Sequence, residues 1–115
     1  MSCGCGKSDE NDLRAQTLDL AGLVEYQDGA VVSRTVLDKP TGTITVFAFD
    51  KGQSLSEHTA PFDATVQLLD GKGDFNIEGK TFTLKQGEML IMPADRPHSV
   101  TATERFKMML IMIRS

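Results

Sequence analysis

The sequence predicts an all-β domain of eight or nine short antiparallel strands, arranged as a sandwich or a barrel. In several short runs, apolar and polar residues alternate with a period of two, which is a strand signal. Turn residues separate these runs, and no long window has helical periodicity. The expected strands, in chain order, are AVVSRTVLD, GTITVFAFD, ATVQLLD, GDFNIE, KTFTLK, EMLIMP, HSVTAT and RFKMMLIMI.

Glycines mark three expected turns between these strands. DGKG at 70–73, EGK at 78–80 and KQG at 85–87 supply glycines where hairpins need a positive φ. Ahead of the first strand, residues 12–29 offer at most a turn of helix and one short strand. No repeat and no linker divides the chain, so we expect a single domain.

Size and charge exclude several classes of function. A chain of 115 residues with net charge −4 buries one core and lacks the basic patch of a nucleic-acid-binding protein. The same charge disfavours anionic membrane surfaces. The longest apolar run, residues 108–113, is far short of the ~20 residues that span a bilayer. With no signal-peptide pattern at the N-terminus, we expect a cytoplasmic protein with no nucleic-acid or membrane partner.

The N-terminal segment is short, glycine-rich and charged. We therefore expect residues 1–16 to be a disordered tail and residues 17–115 to form the domain. Cys3 and Cys5 lie in this tail, so neither can staple the body of the domain. A soft metal chelated by the two thiolates, or a strained local disulfide, is the alternative to simple disorder.

The last expected strand is apolar on both faces. Phe106, Met108, Leu110 and Met112 alternate with Met109, Ile111 and Ile113. A strand with one wet face does not have this pattern, so either it is central in a sandwich or a partner covers its outer side. We expect a homodimer.

Two spaced sets of residues, at 52–71 and 87–102, carry the functional signal. These positions are Gly52, His58, Ala60, Ala64 and Gly71, then Gly87, Pro93, Asp95, His98 and Ala102. With these intervals the sequence resembles the cupin superfamily, whose motifs are G-x5-H-x-H-x3-E-x6-G and G-x5-P-x-G-x2-H-x3-N. Asp95 and Ala102 replace the glycine and asparagine of the second motif.

The resemblance spans residues 30–113 and is nearest to small single-domain bacterial cupins of the RmlC-like type. It implies a double-stranded β-helix, a small jelly-roll barrel with its site in the mouth. In metal-binding cupins, two histidines and a glutamate of the first motif join the histidine of the second around one divalent ion. Here His58 and His98 remain, whereas Ala60 and Ala64 stand at the other two positions.

Several chemistries stay open for this incomplete set. Two imidazoles can touch a divalent transition metal, but catalytic sites usually offer three protein ligands, so we expect weak affinity. Asp63 is the nearest oxygen donor, and period-two geometry turns it away from Ala64. A copper site with thioether ligands is a further alternative, although methionine is also an ordinary core residue. Its candidate ligands are Met92, Met108 and Met112.

The histidines could also act without metal. We expect His58 and His98 to face one pocket, with Ala60 and Ala64 leaving space in it for a small organic ligand. Either imidazole is then a candidate general acid or base. Metal-free cupins that act on sugars combine histidine, aspartate and tyrosine, and the only tyrosine, Tyr26, lies outside the motifs.

The sequence thus favours a small-molecule-binding protein, with a divalent metal weakly held between His58 and His98. The alternative is a metal-dependent oxygenase or isomerase whose substrate completes the coordination. A barrel kept for protein contacts, with no ligand, is the third hypothesis.

Overall fold

The structure, a computed structural model, describes residues 12–114 and confirms an all-β domain. One 3₁₀ turn, Leu20–Leu23, precedes the sheet and confirms the expected turn of helix. Of the predicted tail, residues 1–11 and both cysteines lie outside the described part, and Leu13 near its end is buried. The eight strands are β1 Val31–Lys39, β2 Gly42–Phe49, β3 Ser54–His58, β4 Ala64–Ile77, β5 Lys80–Lys85, β6 Met89–Met92, β7 His98–Thr101 and β8 Phe106–Ile113.

The strands curl into a double-stranded β-helix, as the sequence predicted. Their order is β1-β2-β8-β4-β7-β3, with β5 and β6 both paired to β4, and every pairing is antiparallel. The first half of β4 belongs to one sheet, with β1, β2, β6 and β8. Its second half belongs to the other sheet, with β3, β5 and β7. We call these the first sheet and the second sheet.

The predicted hairpin at 70–73 is wrong, because β4 continues through this segment from one sheet into the other. A register shift between Leu68 and Asp70 bends the strand where it leaves β8. Gly71 has φ 75°, and a Cβ there would lie 2.1 Å from the Arg105 carbonyl oxygen. The glycine therefore permits a bend and a close backbone contact, not a chain reversal.

The predicted hairpin at 78–80 is confirmed, whereas the predicted hairpin at 85–87 is wrong, because β5 and β6 pair with different halves of β4 and not with each other. Glu78 and Gly79, with φ 50° and 85°, form the two-residue connection between Ile77 and Lys80. Positive φ at both central positions is typical of a type I′ hairpin turn. Gly87, with φ 89°, lies in the turn between β5 and β6.

The core fills the space between the two sheets. Phe49, Phe75 and Phe106 are fully buried, and the rings of Phe49 and Phe106 stack with centroids 4.6 Å apart. Ala64 and Met108 belong to the same cluster. The face of β8 that carries Phe106 and Met108 in the alternating pattern is thus the inner face.

The outer face of the first sheet is only partly covered. Val24 packs there against Val46 and Ala48, which are fully buried, so the segment before β1 shields this part of the sheet. Beyond it, Met89, Ile91 and Ile113 are 60%, 54% and 65% exposed. Within residues 12–114, no helix has the length and apolar character that crossing a membrane requires.

Candidate functional site

The two histidines meet at one end of the second sheet. His58 is the last residue of β3 and His98 the first of β7, and the two are register partners. Directly paired residues of antiparallel strands point to the same face. The ring centroids are 4.4 Å apart and the planes are inclined by 68°. The structure therefore brings together the two imidazoles that the sequence singled out.

Backbone hydrogen bonds fix the tautomer of both rings. His58 Nδ1 lies 2.8 Å from the Ser56 carbonyl oxygen, and His98 Nδ1 lies 3.1 Å from that of Arg96. A carbonyl oxygen can only accept, so each Nδ1 donates its proton. Each neutral imidazole then keeps a lone pair on Nε2. Such an atom can accept a hydrogen bond, take up a proton or ligate a metal.

The environments of the two rings differ sharply. His98 is 4% exposed, whereas His58 is exposed to solvent. Burial lowers the pKa of His98, a contact with the Arg96 carbonyl opposes this, and the charge of His58 lowers the pKa further. At neutral pH His98 is therefore an uncharged imidazole with a free Nε2 lone pair.

A short loop, residues 93–97, holds His98 in place from the side of β3. The Asp95 amide donates to the Ala60 carbonyl oxygen at 2.7 Å, and the Ala94 amide donates to Asp63 Oδ1 at 2.8 Å. Asp95 adopts φ 62°, in the region that favours glycine. The loop before His98 is thus tied to the loop after His58, which fixes the two histidines relative to each other.

The β4–β5 hairpin holds the same loop from the opposite side. The Glu78 amide donates to the Pro97 carbonyl oxygen at 3.0 Å, and the Glu78 carboxylate pairs with Arg96 at 3.2 Å. Both side chains of this ion pair are at least half exposed, so the pair adds little free energy. The backbone contact, which is independent of ionic strength, is the firmer tether.

Ala60 and Ala64 occupy different surroundings. Ala60 is half-buried in the loop after β3, and its carbonyl oxygen receives the Asp95 amide. Ala64 is 2% exposed in the core, with Met92 and Met112 as its partners on the neighbouring strands. The methyl group of Ala64 is therefore packed among apolar side chains.

The further donors considered from the sequence have structural roles. Asp63 is exposed and its carboxylate accepts the Ala94 amide, as expected for a side chain that faces away from Ala64. Met92 and Met108, 3% and 1% exposed, are members of the core cluster. Tyr26 donates to Asp70 at 2.7 Å and packs on the outer cluster, away from the histidines.

The donor set does not fit a complete catalytic metal site. Within the described part of the chain, no group of three or more His, Cys, Asp or Glu residues could hold an ion. His58 and His98 supply two nitrogen ligands, one fewer than catalytic zinc sites usually have. The pair can hold an ion only weakly unless a bound molecule adds ligands.

Comparisons with known proteins agree with this architecture. The family model described as "Cupin domain" matches residues 45–114, more than half of the chain. The chain belongs to the cupin family. A crystal structure of a conserved protein of unknown function from Streptococcus pyogenes is 35% identical with TM-score 0.86, over 91% of this chain and 92% of that one.

Two further comparisons indicate how much of each relative the chain spans. A cupin 2 conserved barrel domain protein from Leptotrichia buccalis is 46% identical with TM-score 0.82, over 84% of this chain. The match covers 47% of that protein, so our cupin spans about half its length. An uncharacterized protein from Aquifex aeolicus is 29% identical over 80% of this chain and 78% of its own.

Sequence reasoning missed the residues that position the cupin histidines. Glu78, Arg96 and the Asp63 carboxylate act through the 93–97 loop, whose contacts join distant segments of the chain. The signal available was the pair of prolines, Pro93 and Pro97, which bracket a short loop directly before His98.

Proposed function

We propose that this cupin is a small-molecule-binding protein whose site is built on His58 and His98. The observation that carries the proposal is the paired geometry: two rings 4.4 Å apart, each with Nδ1 bound to a backbone carbonyl. Both Nε2 atoms are left to accept hydrogen bonds from one ligand. Ala60, half-buried in the loop after β3, is a further proposed contact, whereas Ala64, the other position where cupins carry a donor, is packed in the core.

A divalent transition metal is a weakly held component of this proposal. Two neutral imidazoles favour such an ion, and a carboxylate or hydroxyl group of the ligand would supply the remaining donors. His98 supports this role because burial keeps it deprotonated. Binding of the ion and of the organic ligand would then be mutually dependent.

The second candidate function is a metal-dependent enzyme of the oxygenase or isomerase type, whose substrate completes the coordination. The contrast between a buried His98 and an exposed His58 favours this candidate. Groups in different environments can take different roles as general acid and general base. The shortage of protein ligands makes it the weaker of the two.

Metal analysis and ligand screening separate the candidates. The protein is purified without chelator or histidine tag, assayed for Fe, Mn, Ni, Zn and Cu, and screened by thermal shift against organic acids and sugars. Wild type is compared with His58→Ala and His98→Ala, and with Thr59→Ala as the matched control beside His58. Stabilisation by a compound in wild type and Thr59→Ala, lost in both histidine variants, supports the binding protein.

Other outcomes discriminate equally well. Stoichiometric metal that is lost in His58→Ala supports the enzyme. Equal responses of wild type and both histidine variants to every metal and compound contradict the histidine site altogether.

We also propose that the exposed apolar strip on the first sheet, formed by Met89, Ile91, Ile111 and Ile113, is covered by a second copy of the chain. Ile91 and Ile111 both pair with Thr65 of β4, so they lie on one face of the sheet. Three of the four side chains are more than half exposed. A two-fold contact would bury the same strip on both copies.

A further inference from the structure

A second feature lies beside the histidine pair, on the far side of the 93–97 loop. A cleft of about 420 Å³ opens between the β4–β5 hairpin and β6. This volume falls within the range of about 300–1,000 Å³ that is typical of small-molecule sites. The cleft is distinct from the histidine site because neither His58 nor His98 lines it.

The floor of the cleft is apolar. Ile77, Phe82, Leu90 and Pro93 line it, and all four are half-buried. The exposed Ile91, which also belongs to the apolar strip of the first sheet, lines its edge. Ile77 and Leu90 also pack against the core cluster, so the floor continues the core outward. A ligand with an apolar body would remove this exposed surface from water, and that burial is favourable.

The rim of the cleft is positively charged. Lys80 and Arg96 contribute two cations and Glu78 one carboxylate, on a protein whose net charge is −4. Lys80 Nζ lies 5.2 Å from the centroid of the Phe82 ring, which places its charge directly above the apolar floor. Arg96 is paired with Glu78, so Lys80 supplies the net positive charge of the rim.

We propose that this cleft is a binding site for a small amphipathic monocarboxylate. The carboxylate would pair with Lys80 at the rim, and its apolar body would contact Phe82 and Leu90 on the floor. Ile77 is the register partner of His98, so the ligand would lie one strand away from the histidine pair. The proposal does not depend on metal binding or on a role for either histidine.

The probe set is hexanoate, its neutral isostere hexanamide, and acetate as a carboxylate without an apolar body. Each is titrated into ¹⁵N-labelled full-length protein while amide chemical shifts are recorded. We expect hexanoate to give saturable shifts centred on Phe82, Leu90 and Arg96, and acetate to give none. Because an exposed ion pair contributes up to about 1 kcal/mol, hexanamide should bind about threefold to fivefold more weakly.

Variants test the contact with the rim. Lys80→Gln should weaken the binding of hexanoate by the same factor and leave the affinity for hexanamide unchanged. Lys85→Gln, at the other end of β5, should change neither affinity. Absence of saturable shifts, equal affinity for hexanoate and hexanamide in wild type, or equal effects of the two lysine variants would overturn the proposal. His58→Ala should retain hexanoate binding, so failure of the histidine site and failure of the cleft are distinguishable.

Discussion

His98 lies buried beneath the exposed ring of His58, with the two centroids 4.4 Å apart on paired positions of β3 and β7. Burial and the neighbouring imidazole both lower the pKa of His98. We expect an NMR titration of its ring proton to give a pKa below the usual value of about 6.5. In His58→Ala this pKa should rise, because the substitution removes a like charge and admits water. A pKa that falls or stays constant in His58→Ala contradicts the arrangement.

The same shift predicts a pH dependence of folding. A histidine whose pKa is lower in the folded state binds protons more readily when unfolded, so folding stability falls as pH drops below about 6.5. The contribution of His98 is fully present above that pH and decreases until the folded-state pKa is passed. His98→Gln should therefore reduce the pH dependence of the unfolding free energy between pH 7 and 5, as measured by chemical denaturation. A variant with the wild-type slope would contradict a lowered pKa of His98 in the folded state.

We expect substitution of Gly71 to lower the free energy of unfolding strongly. Its φ is positive and an added Cβ would meet the Arg105 carbonyl oxygen at 2.1 Å, whereas at Gly79, also of positive φ, nothing lies within 4 Å. We expect Gly71→Ala to lose about 3 kcal/mol or more and Gly79→Ala about 1 kcal/mol. Chemical denaturation measures both. Equal losses would mean that β4 does not pass against Arg105 as described.

We expect replacement of Asp95 by glycine to stabilise the protein. Its φ of 62° costs less for glycine than for any side chain, and its amide contact with Ala60 needs no side chain. Asp95→Gly should therefore raise the unfolding free energy by about 0.5 kcal/mol. Asp38→Gly, in a strand with ordinary φ, should lower it by about 1 kcal/mol. If both substitutions destabilise equally, the loop before His98 does not have the left-handed conformation.

The apolar strip on the first sheet predicts a concentration-dependent dimer. The double substitution Ile91→Lys with Ile113→Lys places charges on two exposed positions and should yield a monomer in analytical ultracentrifugation. Ser54→Lys, on exposed β3, is the control and should leave the dimer intact. If the wild type is monomeric at all concentrations, or if the double lysine variant still forms a dimer, a second copy of the chain does not cover this face.

The fold was largely predictable from local pattern, because alternation and motif spacing are properties of short segments. His58 and His98 were paired correctly since the intervals of both motifs were intact. The segment 70–73 was misjudged because a glycine with positive φ serves a bend as well as a hairpin, and only the contact with Arg105 distinguishes them. Likewise, Asp63 and Glu78 act through neighbours distant in sequence, Ala94 and Arg96, which no periodicity encodes.

Joint binding of one ligand by His58 and His98 can be observed in a crystal structure of protein purified without chelator or histidine tag, with anomalous diffraction to identify any ion. We predict electron density for an organic molecule or a metal ion in contact with Nε2 of both rings. Ordered water alone at both Nε2 atoms would contradict it.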